Sequence, residues 1–157
     1  MTSQTLAEQV VFYARQRQIL IATAESLTGG MVSQQLCSVA GASSVYRGGI
    51  VSYATDLKAK LLGVDEQLLK REGAVHPEVA QSMAFGAAQV CGADYALATT
   101  GVAGPEPLDG QPVGRVFLGL CTPEGNFAQG KMYQGTRDEI RKSACQDALE
   151  LLLGYVK

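Results

Sequence analysis

Two short apolar runs in this 157-residue chain end in the same way. The first, "QILIATA" (18–24), passes straight into Glu25, Ser26, Leu27, Thr28, Gly29 and Gly30. The second, "ADYALATTG" (93–101), leads into "VAGPEPLDGQPVG" (102–114), a loop dense in proline and glycine. Continuous apolar runs of this length predict strands buried on both faces, the kind that need helices on either side of a sheet. The intervening segments supply them. Helices are expected over 4–17, 29–39, 55–63, 65–73 and 76–92, with Thr55 a candidate N-cap, Pro77 in a first turn and Gly63 a stop. A further strand is expected over 46–54, after a break at "GASS". Residues 115–135 read as a hairpin turned at Pro123, Glu124 and Gly125. A closing amphipathic helix over 136–156 carries Ile140, Ala144, Ala148, Leu151 and Leu152 on one face. The order implies a single-domain α/β/α sandwich with a mixed sheet.

Several function classes drop out on charge and composition. A net charge of −2 leaves no electrostatic footprint for nucleic acid or for a membrane surface. No apolar stretch approaches the ~20 residues of a membrane span. The first residues read as an amphipathic helix and not as a signal peptide. Cys37, Cys91, Cys121 and Cys145 form no C-x-x-C pair, and His76 has no second histidine with which to build a zinc site. The cysteines are expected as small core fillers of a reduced, cytosolic protein that needs neither metal nor cofactor.

The chemistry is expected where strands hand over to helices. Ligands in open α/β sheets sit beyond the carboxyl ends of the strands, and free amides at a helix start bind anions. Ser26, Thr28, Gly29, Gly30, Thr100 and Gly101 occupy such positions, with glycine admitting a ligand close to the backbone. The plainer alternative is that Ser26 or Thr28 only caps the following helix. No G-K-[ST] and no G-x-G-x-x-G follows, so a monophosphate fits better than a triphosphate or dinucleotide. Between the junctions lie Ser43, Tyr53 and Lys58. A serine nucleophile needs a base, and a desolvated lysine oriented by a tyrosine can serve where histidine is absent. Arg137 and Arg141 share a helix face and suit either a phosphate or a surface ion pair.

The motifs "TAESLTGG" (23–30), "YRGGIVSYATDLKAKLLGV" (46–64), "GAVHPEVAQSMAFGA" (73–87), "TTGVAGPEPLDGQPVGRVFLGL" (99–120) and "GTRDEIRKSA" (135–144) carry a resemblance. Together they resemble the C-terminal domain of the competence/damage-inducible protein CinA, the nicotinamide-nucleotide amidase family, over residues from about 5 to 155. The resemblance implies hydrolysis of the carboxamide of nicotinamide mononucleotide to nicotinate mononucleotide and ammonia, in pyridine-nucleotide recycling. It implies Ser43 as nucleophile, Lys58 as base and Tyr53 as its partner, without metal. It further implies a pocket lined by Ser26, Thr28, Gly29, Gly30, Thr100 and Gly101, with Arg141 anchoring the substrate. A stand-alone domain is expected, with a small-molecule nucleotide as partner and a homo-oligomer possible. A catalytically silent nucleotide-binding module of the same fold is the alternative. Where many members carry cysteine, this chain has Leu27, so no thiol stands in that turn. A carboxylate at Glu25 would repel phosphate, so it is expected to face ribose hydroxyls or a basic side chain.

Overall fold

The computed structural model describes residues 3–157 as one five-stranded sheet with helices on both faces. The elements run α1 (Leu6–Arg17), β1 (Ile21–Glu25), α2 (Met31–Cys37), β2 (Tyr46–Val51), α3 (Thr55–Leu62), α4 (Glu66–Glu72), α5 (Pro77–Cys91), β3 (Tyr95–Gly101), β4 (Arg115–Thr122), β5 (Gly125–Met132) and α6 (Arg137–Val156). Strand order is β2-β1-β3-β4-β5. The first three strands are parallel, and the β4–β5 hairpin adds antiparallel to β3. The sheet is therefore mixed, as the succession of elements implies.

Alternation along the strands decides what each face can accept. Ile21, Leu97, Leu118 and Leu120 point to one side, where α1, α2 and α6 cover them with residues such as Val10, Leu36 and Leu152. Ala22, Ala24, Ala96 and Ala98 point to the other, against α5 and the ends of α3 and α4. Small residues on this second face let α5 lie unusually close. A Cβ on Gly119 would run into the carbonyl of Ala80 on α5. On its outer side, α5 meets α3 at Gly86, where a Cβ would run into the carbonyl of Leu62.

Local signals set most of the boundaries. Thr5 and Glu8 form a capping box for α1, Thr136 and Glu139 another for α6, and Asp65 caps α4. His76 caps α5, its Nδ1 accepting from the Glu78 amide at 3.2 Å. Several boundaries differ from expectation, among them the end of β2, which falls at Val51 and not at 54. β1 starts at Ile21, because Gln18 ends α1 in the left-handed region at φ 56°. Ala54, not Thr55, occupies the N-cap of α3. "GASS" does not merely break the chain: Ala42–Ser44 form a single 3₁₀ turn. Of the four free cysteines, Cys121 and Cys145 are core fillers, but Cys37 is exposed. Among the described residues no helix is long and apolar enough to cross a membrane.

Gly101 is required by strand packing. It ends β3 against β4, where a Cβ would lie 2.6 Å from Val116 Cγ2 and 2.7 Å from the Arg115 carbonyl oxygen. Gly101→Val is expected to destabilise the fold by about 2–3 kcal/mol, an overpacking effect. Urea unfolding measures this, and a variant of wild-type stability would contradict it.

Candidate active site

The parallel strands β1 and β3 end side by side, Glu25 opposite Thr99. From Glu25 the chain turns through Ser26, Leu27, Thr28, Gly29 and Gly30 into α2, with Gly29 at φ 56° and Gly30 at φ 106°. Such left-handed backbone favours glycine and makes the turn tight. Beside it, β2 ends and the chain enters α3, whose first turns carry Lys58 back under the turn. Lys58 is only 1 % exposed. Its Nζ lies 3.0 Å from Ser26 Oγ, 2.6 Å from the Ser52 carbonyl and 3.3 Å from the Tyr53 carbonyl. Burial pushes the Lys58 ammonium down to about 8, against a smaller upward pull from the Asp109 carboxylate.

Neutral Lys58 has a defined lone pair. The two carbonyls can only accept, so they take the two remaining N–H donors. The lone pair is then left for the third neighbour, the Ser26 hydroxyl. A serine and a lysine in this relation have the geometry that a nucleophile and its base require.

Ser43 is not at this site. It is exposed in the 3₁₀ turn before β2, whereas Lys58 binds the chain just after β2. A six-residue strand separates the two ends by ~20 Å. The expected pairing of Ser43 with Lys58 is therefore corrected: Ser26, expected only to line the pocket, is the serine that Lys58 reaches. The missed signal is topological. Residues after parallel β1 and after parallel β2 must lie at the same sheet edge, and residues before β2 at the opposite one.

Tyr53 is also placed differently. Its side chain is 59 % exposed, and its hydroxyl accepts from Arg137 Nη2 at 2.9 Å. Only its backbone carbonyl touches Lys58. Arg137, at the start of α6, donates in addition to the Gly104 carbonyl and so bridges the rim of the site. Thr100 faces away from a ligand position, its hydroxyl donating to the Ala74 carbonyl at 2.7 Å. The same segment is held by Asp109, whose Oδ2 accepts from the Ala74 amide at 3.1 Å. Asp109, at φ 50°, and Gly110 form the tip of a two-residue turn bridged by Leu108 and Gln111.

Glu25 meets no basic side chain among the described residues. It is 1 % exposed, and its Oε1 accepts from Thr28 Oγ1 at 2.7 Å and the Val32 amide at 2.9 Å. Its Oε2 accepts from the Ser33 amide at 3.0 Å and Ser33 Oγ at 2.6 Å. Two amides of the first turn of α2, those of Val32 and Ser33, are thus taken by a carboxylate from the protein itself. Thr28 Oγ1 also meets Thr99 Oγ1 at 2.8 Å. The amides of Leu27, Thr28 and Gly30 have no acceptor among the described residues. Among the same residues no group of three His, Cys, Asp or Glu side chains could hold a metal ion.

Fold and site together define an α/β protein with a buried serine–lysine pair at the carboxyl end of its parallel strands. The family model of the CinA C-terminal domain matches residues 3–156, and the chain belongs to that family. A CinA-like protein of Frankia casuarinae is 50% identical over 137 residues, covering 87% of this chain and 32% of that protein. A putative competence-damage inducible protein of a Geobacillus species is 40% identical over 151 residues, covering 96% of this chain and 36% of that protein. The chain thus spans about a third of the length of these curated relatives. Among solved structures, competence/damage inducible protein CihA from Agrobacterium tumefaciens superposes with a TM-score of 0.92 at 33% identity, covering 99% of this chain and all of that one. A CinA superfamily protein from Klebsiella pneumoniae gives a TM-score of 0.92 at 30% identity, over 96% and 95% of the two chains.

Proposed function

We propose that the protein is a serine amidohydrolase that converts nicotinamide mononucleotide to nicotinate mononucleotide and ammonia. The observation that carries the reaction type is the 3.0 Å approach of buried Lys58 Nζ to Ser26 Oγ. Structural lysines are seldom buried, and burying one beside a hydroxyl lowers its proton affinity into the range a general base needs. The substrate class follows from the resemblance carried by the motifs around residues 23–30, 46–64 and 99–120. It is supported by Arg137 at the rim, which pairs with no carboxylate among the described residues and suits a phosphomonoester.

In the first half-reaction, Ser26 Oγ attacks the carboxamide carbon while its proton passes to neutral Lys58 Nζ. The carbonyl π electrons move to oxygen, and the unpaired amides of Leu27 and Thr28 are the donors that stabilise that oxyanion. Lys58 returns the proton to the amide nitrogen, the C–N bond breaks and ammonia departs, leaving the acyl group on Ser26. In the second half-reaction water attacks the ester carbon and gives its proton to Lys58. Lys58 then reprotonates Ser26 as the carboxylic acid leaves.

Purified protein is expected to form nicotinate mononucleotide and ammonia in equal amounts, unchanged by a chelator, in an assay that resolves both products. Substrate binding without product at high enzyme concentration would instead favour a nucleotide-binding module.

Asp109 offers a separate check. Its charge favours the protonated lysine, so Asp109→Asn leaves Lys58 neutral at lower pH. The acid limb of kcat/KM against pH, set near 8 by Lys58, is expected to move to lower pH in this variant. A move to higher pH, or none, would dissociate Asp109 from the base.

A further inference from the structure

Arg141 does not behave as a side chain waiting for a ligand. It reaches from α6 to the nucleophile turn, where Nε donates to the Leu27 carbonyl at 2.8 Å and Nη2 lies 3.5 Å from the Thr28 carbonyl. Nη2 lies 3.4 Å from the position of a Cβ on Gly29, in van der Waals contact with the turn. The guanidinium therefore grips two successive carbonyls of the turn that carries Ser26. In a trans peptide the C=O and the N–H point in opposite directions. Holding the Leu27 carbonyl toward α6 turns the Thr28 N–H away from α6.

The other side of the turn is held by Glu25. One oxygen takes the Thr28 hydroxyl and the Val32 amide, and the other takes both donors of Ser33. Thr28 Oγ1 passes the contact on to Thr99 Oγ1, which lies 3.3 Å from the Ser26 amide. A buried carboxylate with four donors and no cation beside it is a rigid anchor. The charged groups grip opposite features of one residue: Arg141 its carbonyl, Glu25 its hydroxyl.

We infer that Arg141 and Glu25 form a two-sided clamp that fixes the unpaired Leu27 and Thr28 amides toward the reaction at Ser26. Both are positioning residues, and Arg141 is not a substrate anchor. The catalytic part of this inference rests on the serine amidohydrolase reading given above.

The test separates orientation from binding. Arg141→Ala is expected to lower kcat by ~10²-fold while KM for nicotinamide mononucleotide stays within about threefold, the pattern of an interaction made only in the transition state. Arg141→Lys should recover part of the loss, because an ammonium still donates to one carbonyl. Glu25→Gln should fall with Arg141→Ala, since one carboxamide replaces an acceptor by a donor facing donors. Pyridine-3-boronic acid, which forms a tetrahedral adduct with an active serine, should lose affinity in the variants in step with kcat. A raised KM at normal kcat would make Arg141 a substrate anchor and overturn the clamp.

Hydrogen–deuterium exchange gives a readout that needs no turnover. The amides of Gly29, Met31, Val32 and Ser33 are bonded within the turn and its cap. In Arg141→Ala and Glu25→Gln they are expected to exchange ~10-fold faster, with α1 and β3 unchanged. Unchanged exchange at these four amides overturns the clamp even if the wild type hydrolyses the amide. A wild type without turnover defeats the amidase reading alone, and the clamp then stands or falls on exchange.

Discussion

Ser26→Ala is expected to reduce turnover of nicotinamide mononucleotide by ~10⁴-fold or more, whereas Ser43→Ala leaves it within about twofold. The two serines look alike in sequence, and the sheet separates them. Ser26 follows β1 and meets Lys58 Nζ at 3.0 Å, while Ser43 precedes β2 and is exposed at the far edge. The alanine at 26 removes a buried oxygen whose one hydrogen-bond partner among the described residues is the lysine, so folding should be little altered. Thermal melting of both variants checks this. Mass spectrometry of a quenched reaction gives the direct evidence, an adduct on the peptide containing Ser26. An active Ser26→Ala would mean that Lys58 activates water instead of a hydroxyl.

Lys58→Met is expected to be as damaging to turnover as Ser26→Ala, and the double variant little worse than either, because nucleophile and base act as a unit. Its effect on stability runs differently. In the folded protein Lys58 releases its proton near 8, in the unfolded chain near 10.5. Within that window the unfolded chain binds more protons, so wild-type stability rises with pH, by at most about 1.4 kcal/mol per pH unit. Below the window both states hold the proton and the contribution is constant. Lys58→Met loses this rise. Urea unfolding of wild type and variant at about pH 7 and about pH 10 should therefore show the wild type gaining relative to methionine. A relative loss at high pH would mean that the ammonium is stabilised in the fold, and Lys58 would not be a base.

Much of this architecture is legible from sequence. Apolar runs ending in glycine junctions locate β1 and β3, and Gly63 as a stop and Pro77 in a first turn locate the end of α3 and the start of α5. Lys58 is singled out in the sequence as well, and the structure places it buried beside a serine. The choice of serine is not. Proximity in sequence favours Ser43, which is near Lys58 along the chain, while the partnership is made across strands that are neighbours only in space. Glu25 misleads for a related reason. Its charge is visible, but its four donors come from residues up to eight positions onward, which only the turn brings back. Arg137 and Arg141 read as a pair on one face, yet one grips the rim and the other the nucleophile turn, a division set by where α6 crosses the sheet.

The glycine at position 86 has a meaning that reaches past packing. α3 carries the lysine, and α3 rests on α5 through the bare backbone at Gly86 and Leu62. At Gly86 itself no side chain can be accommodated, because a Cβ would run into the Leu62 carbonyl. The location of Lys58 is thereby tied to main-chain atoms, those of Gly86 and Leu62. Across related chains, substitutions can therefore accumulate on the outer surfaces of both helices, while the seam between them tolerates almost none.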